Sequence, residues 1–420
     1  MKPKKKFILF KVKLVIELVV LLISNASDAQ VNSCKDPLAN NYNTAATIND
    51  GSCTYDPANY TPLTKVDPIS DILNESSGLQ MAGNFLWSFN DGGGAAAIYR
   101  IDTITNALLQ TVNLAGAENI DWEDITFDGA NFYVGDFGNN ANGARTNLKI
   151  YKFPLSAISD YINNPVATIA AAQIEIINFS YGNQPQPPQP TSNNNTKFDC
   201  EAMIVDGGKI HLFTKNWIDL TTTHYEINGL TAGTYIADSL ETLITNYLVT
   251  GADKATSQKL VALLGYQKTF PFFHYLHLLT DYSGENYFNA NKRKINLPDV
   301  TIMGQAEGIC FRTSTYGYIS NEKVALLSIN QKLRSFDISN FVSNLISTYT
   351  FIGFGNWDVP ANWSNNIVPP ATIHRGDEII IDPASGGQCV LNIPYTLSAG
   401  AKLNVNPAKN FIIHGNLSLQ

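Results

Sequence analysis

An internal repeat of paired apolar runs constrains the fold of this chain more than any other feature of the sequence. Each copy has an acidic residue, a short apolar run, a turn, and a second run that ends in polar residues. The clearest copies begin at Glu75, Trp122, Cys200 and Ala306, and a weaker one begins at Gly251. A third run follows most copies and a fourth follows some of them. Short runs bounded by Gly, Asn and Asp are typical of β-strands, so the repeat predicts an all-β protein.

The leading acids give the length of this repeat. They are Glu75, Glu123, Glu201, Asp253 and Glu307. Their separations are 48, 78, 52 and 54 residues, and the long interval contains a Pro- and Asn-rich stretch at 182–195 that predicts a solvated loop. Four strands in about 50 residues is the size of a β-propeller blade. We therefore expect a propeller over residues 59–350, with five recognisable blades and a sixth, degenerate blade left open.

The spacing inside each copy predicts that the acids share one edge of the propeller. If the second strand returns antiparallel to the first, the leading acid and the end of the second strand lie at the same edge. That end follows the acid by 13 or 14 residues in four of the copies, which indicates one common register. The first strand of a blade lies innermost, so five acids would converge on one mouth of the central channel.

Carboxylate and amide oxygens dominate this predicted mouth, and they are the ligands that Ca²⁺ takes in flexible sets of six to eight. Mg²⁺ fits less well because it requires strict octahedral geometry. The predicted metal ligands are Glu75, Glu123, Glu201, Asp253, Glu307, Asp136, Asn139, Asn216 and Asn321. The residues predicted to touch a ligand are Asp91, Trp122, Lys215, Tyr266 and Glu322. The alternative is that the repeated acids accept backbone hydrogen bonds and hold neighbouring blades together.

The N-terminal residues 1–29 have the pattern of a signal peptide. A lysine-rich start precedes an apolar stretch at 7–23, and small residues follow at 27–29. Lys11, Lys13 and Glu17 interrupt the apolar stretch, so it is too short to span a bilayer comfortably. An uncleaved anchor is the alternative. We expect a protein that is secreted, extracellular or at the cell surface, without a membrane span after removal of the signal.

Two further modules flank the predicted propeller. Cys34 and Cys53 bracket an Asp- and Asn-rich stretch within residues 30–58, and they form the expected disulfide of an exported protein. The other three cysteines lie far apart in sequence and are expected to be buried thiols. Residues 351–420 contain short apolar runs spaced by about ten to a dozen residues, which predict a small β domain. One or two coils of a parallel β-helix, or a small sandwich, would both fit.

The ordered set of motifs resembles a known family. ESSGL…LWSFNDGG, WEDITFDGANFYVGDFGNN, EAM…LFTKNW and AEGICF…YISNE are together similar to secreted β-propeller proteins of the Bacteroidetes type, loosely related to esterase-like phytase and strictosidine-synthase-like propellers. CKDPLANNY…DGSC and GNWDVPANWS resemble small modules of secreted proteins from the same bacteria. The resemblance covers nearly all of 70–330 and implies a propeller with an acid-lined mouth and Ca²⁺. It implies no single reaction.

Composition and absent motifs narrow the function. A net charge of -8, with no basic cluster beyond the N-terminus, argues against nucleic acid as a partner. The chain has no G-x-S-x-G motif, and none of its six histidines falls on the predicted mouth. We expect a binding or scaffold protein for an extracellular ligand, such as a glycan or a cell-surface component. The alternative is a hydrolase of lactones, esters or phosphoesters that uses the metal as a Lewis acid at the same mouth.

Overall fold

The computed structural model describes residues 30–105, 107–255, 258–343, 348–369, 371–373, 377–398 and 401–419. The predicted signal peptide lies outside the described residues. Within them the chain is built from β-strands, and Val300–Met303 is the only α-helix in these ranges. The 3₁₀ helices are Asp71–Leu73, Leu155–Ala157, Ala171–Gln173, Tyr287–Asn289, Ala325–Leu327, Pro360–Asn362 and Ser364–Asn366. The predicted all-β class is confirmed.

Five antiparallel hairpins, numbered 1 to 5 in chain order, coincide with the five copies of the sequence repeat. Their first strands are Ser76–Ala82, Trp122–Phe127, Cys200–Asp206, Leu248–Lys254 and Gln305–Phe311. Their second strands are Phe85–Asn90, Asn131–Asp136, Lys209–Thr214, Leu260–Tyr266 and Tyr316–Glu322. Each first strand pairs with the second strand of its own hairpin.

Outer strands extend hairpins 1 to 3 into two large sheets. Hairpin 1 is followed by Ala97–Ile101, Leu108–Leu114 and Val166–Ile169 in a five-stranded sheet. Hairpin 2 is extended by Lys149–Pro154 and Glu175–Tyr181, and hairpin 3 by Thr221–Ile227 and Gly233–Ile244. The twelve-residue strand Gly233–Ile244 also pairs in parallel with Glu175–Tyr181, so hairpins 2 and 3 belong to one eight-stranded sheet.

Strands from the N-terminal part of the chain complete the sheets of hairpins 4 and 5. Hairpin 4 is extended by His274–Thr280, Asn291–Asn296 and Ala58–Asn59. Hairpin 5 is extended by Lys332–Asp337 and Leu63–Val66. Residues 270 positions apart therefore pair, as Arg334 does with Thr64. These short strands have no apolar pattern of their own, and the sequence repeat does not reveal them.

The first strands of the five hairpins lie side by side in chain order, and hairpin 5 returns to lie beside hairpin 1. Polar contacts cross these interfaces. Ser77 Oγ donates to the carbonyl oxygen of Glu123 at 2.9 Å, which joins hairpins 1 and 2. Ser320 Oγ donates to the carbonyl oxygen of Ser77 at 3.4 Å, which joins hairpins 5 and 1. The five hairpins therefore form a closed ring.

Apolar side chains fill the interface between each pair of neighbouring hairpins. Trp87 of hairpin 1 and Phe132 of hairpin 2 lie in one such cluster with ring centroids 5.3 Å apart, and both are fully buried. Four further clusters occupy the interfaces 2–3, 3–4, 4–5 and 5–1. Burying an aromatic side chain contributes about 1.5–3 kcal/mol, so the ring is stabilised by several separate cores.

The described residues between 348 and 419 form three parallel sheets of three strands each. The first contains Thr348–Phe351, Glu378–Ile381 and Lys402–Val405; the second contains Gly355–Asn356, Gln388–Leu391 and Asn410–Ile413; the third contains Thr372–Ile373, Tyr395–Leu397 and Leu417–Leu419. Successive strands of the chain go to successive sheets, so the chain makes three turns, more than the one or two predicted. The fully buried Trp357 and Trp363 pack inside these turns.

Cys34 and Cys53 form a disulfide, which confirms the predicted pair, and Cys200, Cys310 and Cys389 are buried free thiols, as expected. A two-stranded parallel sheet, Asn32–Ser33 with Ile48–Asn49, lies beside the disulfide. This module contacts the sheet of hairpin 4 through a hydrogen bond of 3.2 Å from Asn49 Nδ2 to the carbonyl oxygen of Asp281. No helix in the described ranges has the length and apolar character needed to cross a membrane.

Candidate functional site

A bulge near the start of each first strand determines which side chain points towards the centre of the ring. Ladder pairing skips one residue in hairpins 2, 3 and 4 and two residues in hairpins 1 and 5. The first skipped residues are Ser77, Glu123, Glu201, Thr250 and Glu307. A bulge leaves its extra residue unpaired and turns its side chain away from the regular alternation. Three glutamates and two hydroxyl residues therefore occupy equivalent positions.

The three glutamates line one cavity of about 240 Å³. Of the residues predicted from the sequence, the cavity also contains Asp91, Lys215, Tyr266 and Glu322. Its other lining residues are Ser77, Asn140, Asn194, Trp217 and Gln305. A larger groove of about 440 Å³ lies elsewhere, around Tyr60 and Phe273, and it carries no carboxylate or basic side chain. Of these two cavities, the smaller one is therefore the one that is lined by carboxylate and ammonium groups.

Two of the predicted leading acids do not line the cavity. Glu75 is exposed and lies two residues before the bulge residue Ser77. Asp253 lies three residues beyond Thr250 and accepts hydrogen bonds from the backbone N–H of Phe311 at 2.6 Å and of Lys254 at 2.8 Å. The predicted register is wrong at these two positions because hairpins 1 and 4 carry a hydroxyl residue where the others carry glutamate. At Asp253 the alternative prediction describes what is observed, because its carboxylate accepts backbone hydrogen bonds and links hairpin 4 to hairpin 5.

Four other predicted metal ligands are bonded to the protein itself. Asp136 is buried and pairs with Arg145 at 2.7 Å. Asn139 donates from its Nδ2 to the carbonyl oxygen of Phe198. Asn216 accepts from the backbone N–H groups of Ile218 and Asp219, and Asn321 donates to the carbonyl oxygens of Glu322 and Asn330. These residues fix loops at the edge of the cavity and do not line it.

Trp122, a predicted ligand contact, is buried in the core between hairpins 1 and 2. Its Nε1 donates to the carbonyl oxygen of Glu118 at 2.9 Å. The ring packs edge-on against Phe89, with centroids 5.6 Å apart. Trp122 is therefore a packing residue, whereas Trp217, which the sequence analysis did not select, lines the cavity.

The predicted site residues do not include Asp121 and Asp199. Each precedes a cavity glutamate by two residues, in Asp121-Trp-Glu123 and Asp199-Cys-Glu201. Residues two apart on a regular strand point to the same face, and the bulge keeps both carboxylates at the same edge here. The repeated D-x-E pattern was the signal that could have found them. Glu75 lies two residues before the bulge residue Ser77, as Asp121 and Asp199 lie two residues before theirs. Treating Glu75 as the equivalent of Glu123 therefore displaced hairpin 1 by two residues in the comparison of the repeats.

The carboxylates form two overlapping groups with the spacing of a metal site. One oxygen from each of Asp91, Asp121 and Glu123 lies within 4.8 Å of the others, and the same holds for Glu123, Asp199 and Glu201. The second group is already bonded to the protein. Asp199 accepts from the backbone N–H of Asn139 and from Trp217 Nε1, both at 2.7 Å, and Glu201 pairs with Lys215. In the first group, Asp91 accepts a hydrogen bond from the adjacent Gly92 N–H.

Two glycines leave room for the first group. A Cβ atom at Gly92 would lie 2.8 Å from Asp121 Oδ1. A Cβ atom at Gly138 would collide with Glu123 Oε1 and would lie 2.5 Å from Asp121 Oδ2. Glycine lets a backbone approach another group closely because it has no side chain. The carboxylates of Asp121 and Glu123 therefore lie directly against the backbone of two loops.

Burial and mutual repulsion make the charged form of this group unfavourable. Burial, followed by the charges of Asp91 and Asp199, raises the pKa of Asp121 to about 7. Burial, followed by repulsion from Glu201 and Asp91, raises the pKa of Glu123 well above its ordinary value. Burial also raises the pKa of Asp91. Carboxylates held together in this way gain most from a nearby cation, which favours their ionised form.

Lys215 gives another part of the cavity a different character. Its Nζ lies 2.9 Å from Glu201 Oε2, 5.1 Å from the centroid of the Trp217 ring and 5.3 Å from that of Tyr266. Burial lowers the pKa of Lys215, but attraction by Glu201, Tyr266 and Glu307 outweighs it and leaves the pKa well above its ordinary value. The ammonium is thus held as a cation inside the protein.

Gln305 bridges the two remaining glutamates. Its Nε2 donates to Glu307 Oε1 at 2.9 Å and to Glu322 Oε2 at 2.8 Å. Glu307 is only 4% exposed, and its Oε2 has no hydrogen-bond partner among the described residues. The nearby Thr250 hydroxyl donates its one proton to the carbonyl oxygen of Ala306 at 2.9 Å. Burial raises the pKa of Glu307, and burial together with repulsion from Glu307 raises that of Glu322. The cavity therefore contains a buried acceptor atom that the protein does not satisfy.

No protein-family model matches this chain, and no curated protein matches it. Among solved structures, the chain is similar to a chain in the crystal structure of a mitotic checkpoint complex, with 12% sequence identity and a TM-score of 0.28. The match covers 62% of this chain and 63% of the other. A likeness at that TM-score carries no argument about fold or function.

Proposed function

We propose that the protein is a secreted β-propeller binding protein that holds a divalent cation, Ca²⁺ above others, between Asp91, Asp121 and Glu123. The observation that carries this proposal is the cluster of three carboxylate oxygens within 4.8 Å of one another. Five hairpins in a closed ring, with the sheet of hairpin 5 completed by Leu63–Val66, support a five-bladed propeller. Three turns of parallel strands support a small β-helix at residues 348–419.

The donors of both clusters are hard oxygens, which suit Ca²⁺. Two features favour a cation at Asp91, Asp121 and Glu123 over the neighbouring cluster. Gly92 and Gly138 leave the space next to Asp121 and Glu123 free of side-chain atoms. Glu201, in the other cluster, already has a cation in Lys215. A divalent ion between Asp91, Asp121 and Glu123 would supply a direct countercharge, which Lys215 already supplies to Glu201 in the neighbouring cluster.

The disulfide between Cys34 and Cys53 supports secretion, because such bonds form and persist in oxidising compartments. The predicted signal peptide supports the same route. An extracellular position also fits Ca²⁺ as the cofactor, since extracellular modules bind this ion at dissociation constants of roughly 10⁻⁴–10⁻³ M. The cavity would then present a calcium-loaded surface to an extracellular ligand.

The test is calorimetric titration of chelator-treated protein with CaCl₂. We expect one ion per chain and a higher melting temperature with Ca²⁺ than with EDTA. Asp121→Asn and Glu123→Gln should each weaken binding by at least about 100-fold, since even changes behind the ligands cost 10- to 100-fold. Glu75→Gln is the matched control, because Glu75 is an exposed acid of the same hairpin ring that does not line the cavity.

Two results would contradict the proposal. One is the absence of both binding heat and any effect of EDTA on melting. The other is a loss of affinity in Glu75→Gln as large as that in Glu123→Gln, which would indicate diffuse attraction of Ca²⁺ to an acidic surface. Weaker binding of Mg²⁺ is expected, because three converging carboxylates do not impose octahedral geometry.

The second function considered, metal-dependent hydrolysis, would use the same ion as a Lewis acid. No described histidine lines the cavity. His211 is buried in the second strand of hairpin 3, and His224, His274 and His277 are buried in outer strands. Proton transfer would therefore fall to a carboxyl group. We expect no turnover of lactone, aryl ester or phosphoester panels by the calcium-loaded protein. Turnover that Glu123→Gln abolishes and Glu75→Gln retains would favour the hydrolase.

A further inference from the structure

Glu307 presents a buried acceptor to the cavity and belongs to neither of the two carboxylate clusters with metal-ligand spacing. Its Oε1 is bonded to Gln305, whereas Oε2 has no partner among the described residues. A buried polar atom without a hydrogen bond costs about 1–3 kcal/mol, and more when it is charged. A ligand that donates to this atom would remove that cost.

The surroundings of Glu307 favour an N–H donor over a second metal ion. No third carboxylate among the described residues joins Glu307 and Glu322 in a cluster with metal-ligand spacing. One oxygen of each is already taken by the Gln305 amide. A group that carries N–H bonds can add to this arrangement without displacing Gln305, whereas Ca²⁺ requires six to eight oxygen ligands.

The cavity already stabilises one ammonium group, that of Lys215. This cation is held by a carboxylate, Glu201, and lies near the rings of Trp217 and Tyr266. A carboxylate with aromatic faces is a general solution for binding organic cations. Trp217, Tyr266, Glu307 and Glu322 line the same cavity, so the same chemistry is available to an external ammonium.

The balance of charge points to the same ligand class. The carboxyl groups in and around the cavity are Asp91, Asp121, Glu123, Asp199, Glu201, Glu307 and Glu322. Among the residues that the structure describes, Lys215 is the only basic one that lines the cavity. One Ca²⁺ ion would leave an excess of carboxyl groups, so an anionic ligand would be repelled and a cationic one attracted.

We propose that the cavity binds a ligand through a primary ammonium group, which donates to Glu307 Oε2 and lies beside Glu322, Trp217 and Tyr266. The chemistry is shared by a lysine side chain of an extracellular peptide and by a free polyamine. This inference deepens the proposed function, since it names the ligand class of the same cavity. It depends on the cavity and not on the identity of the metal.

The experiment is calorimetric titration of the calcium-saturated protein with Nα-acetyl-lysine methylamide and, separately, with putrescine. Nα-acetyl-norleucine methylamide is the neutral control, because it has a similar chain and no ammonium. We expect the two amines to bind and the norleucine derivative not to bind. The tighter of the two amines identifies the source of the ammonium. Glu307→Gln should weaken amine binding by about 10- to 100-fold, the range for a hydrogen bond to a charged group.

The Ca²⁺ affinity of Glu307→Gln should remain that of the wild type, which also shows that the variant is folded. Glu322→Gln provides a second variant with a smaller expected loss. Amine affinity that is unchanged in both variants, or equal binding of the norleucine derivative, would overturn the inference. A second Ca²⁺ ion that is lost in Glu307→Gln would also overturn it. Amine binding without any Ca²⁺ binding would sink only the calcium proposal, and Ca²⁺ binding without amine binding would sink only this one.

Discussion

Hairpins 2 and 3 have almost the same local structure, but only hairpin 3 places a lysine against its bulge glutamate. In each, a D-x-E segment carries a bulge, and the backbone carbonyl of its aspartate accepts a hydrogen bond from the residue after the second strand. That residue is Phe137 in hairpin 2 and Lys215 in hairpin 3. Phe137 is fully buried in the core between the two hairpins, whereas Lys215 pairs with Glu201. The residue at this one position therefore decides whether the chain itself places a cation against the bulge glutamate.

This difference teaches that the repeated acids are not equivalent, although the repeat makes them look so. Glu201 has a permanent countercharge from the chain. Glu123, in the equivalent position, has acidic neighbours in Asp91 and Asp121 and no lysine or arginine in the corresponding position. The hairpin whose glutamate has no cation in the position of Lys215 is the one that we expect to bind an external ion.

The largest effect is expected from removing the internal cation. Lys215→Met would leave the buried Glu201 carboxylate uncompensated, and breaking one partner of a buried pair costs about 3–5 kcal/mol. Urea unfolding measures this loss. The double variant Lys215→Met/Glu201→Gln should recover most of the stability, because it removes the unpaired charge. Suppose that Lys215→Met loses less than about 1 kcal/mol of stability at a pH where Glu201 is ionised. That result would contradict the difference between hairpins 2 and 3.

A smaller effect is expected from pH on the calcium-free protein. The pKa of Asp121 is about 7 in the folded state against an ordinary 3.8, so the folded protein holds a proton that the unfolded chain releases. Between these values, stability should therefore fall as the pH rises, and it should level off above about pH 7. Melting temperatures measured from pH 4 to 8 would record this slope.

The same series with saturating Ca²⁺ sharpens the test. The ion favours the ionised carboxylate, so the part of the slope due to Asp121 should disappear. Asp253, whose pKa burial raises to about 7, does not line the cavity, and its part of the slope should persist. The pH dependence of the melting temperature of calcium-free Asp121→Asn should resemble that of the calcium-saturated wild type. A slope of the opposite sign would contradict the raised pKa of these groups.

The smallest effect is expected from closing the space beside the cluster. Gly92→Ala should weaken Ca²⁺ binding by roughly 10-fold, the size of a disturbance behind the ligands, because its Cβ would press on Asp121 Oδ1. Gly94→Ala is the matched control in the same turn, since its Cβ would have no neighbour closer than 3.7 Å. Calcium titrations of both variants check this. Equal affinities would show that Gly92 does not shape the site.

The sequence predicted the five hairpins, their antiparallel pairing, the disulfide and the buried thiols. It also identified Glu123, Glu201 and Glu307 as one set, since a constant spacing from acid to strand end implies a constant register. It misplaced Glu75 and Asp253 because hairpins 1 and 4 carry the hydroxyl residues Ser77 and Thr250 at the bulge, so the acid nearest in sequence was taken as the equivalent of Glu123. Asp121 and Asp199 were within reach, because D-x-E occurs twice at the start of a repeat.

What the sequence determined by itself is local: where strands begin and end, which faces are apolar, and which cysteines can pair. Alternating polarity and turn residues encode these features within a few positions of each other. Only the tertiary structure decided that Leu63–Val66 completes the sheet of hairpin 5, that Asp91 meets Asp121 and Glu123, and that Glu307 Oε2 lacks a partner. These features depend on residues that lie far apart in the sequence, and they are determined by how the whole ring packs.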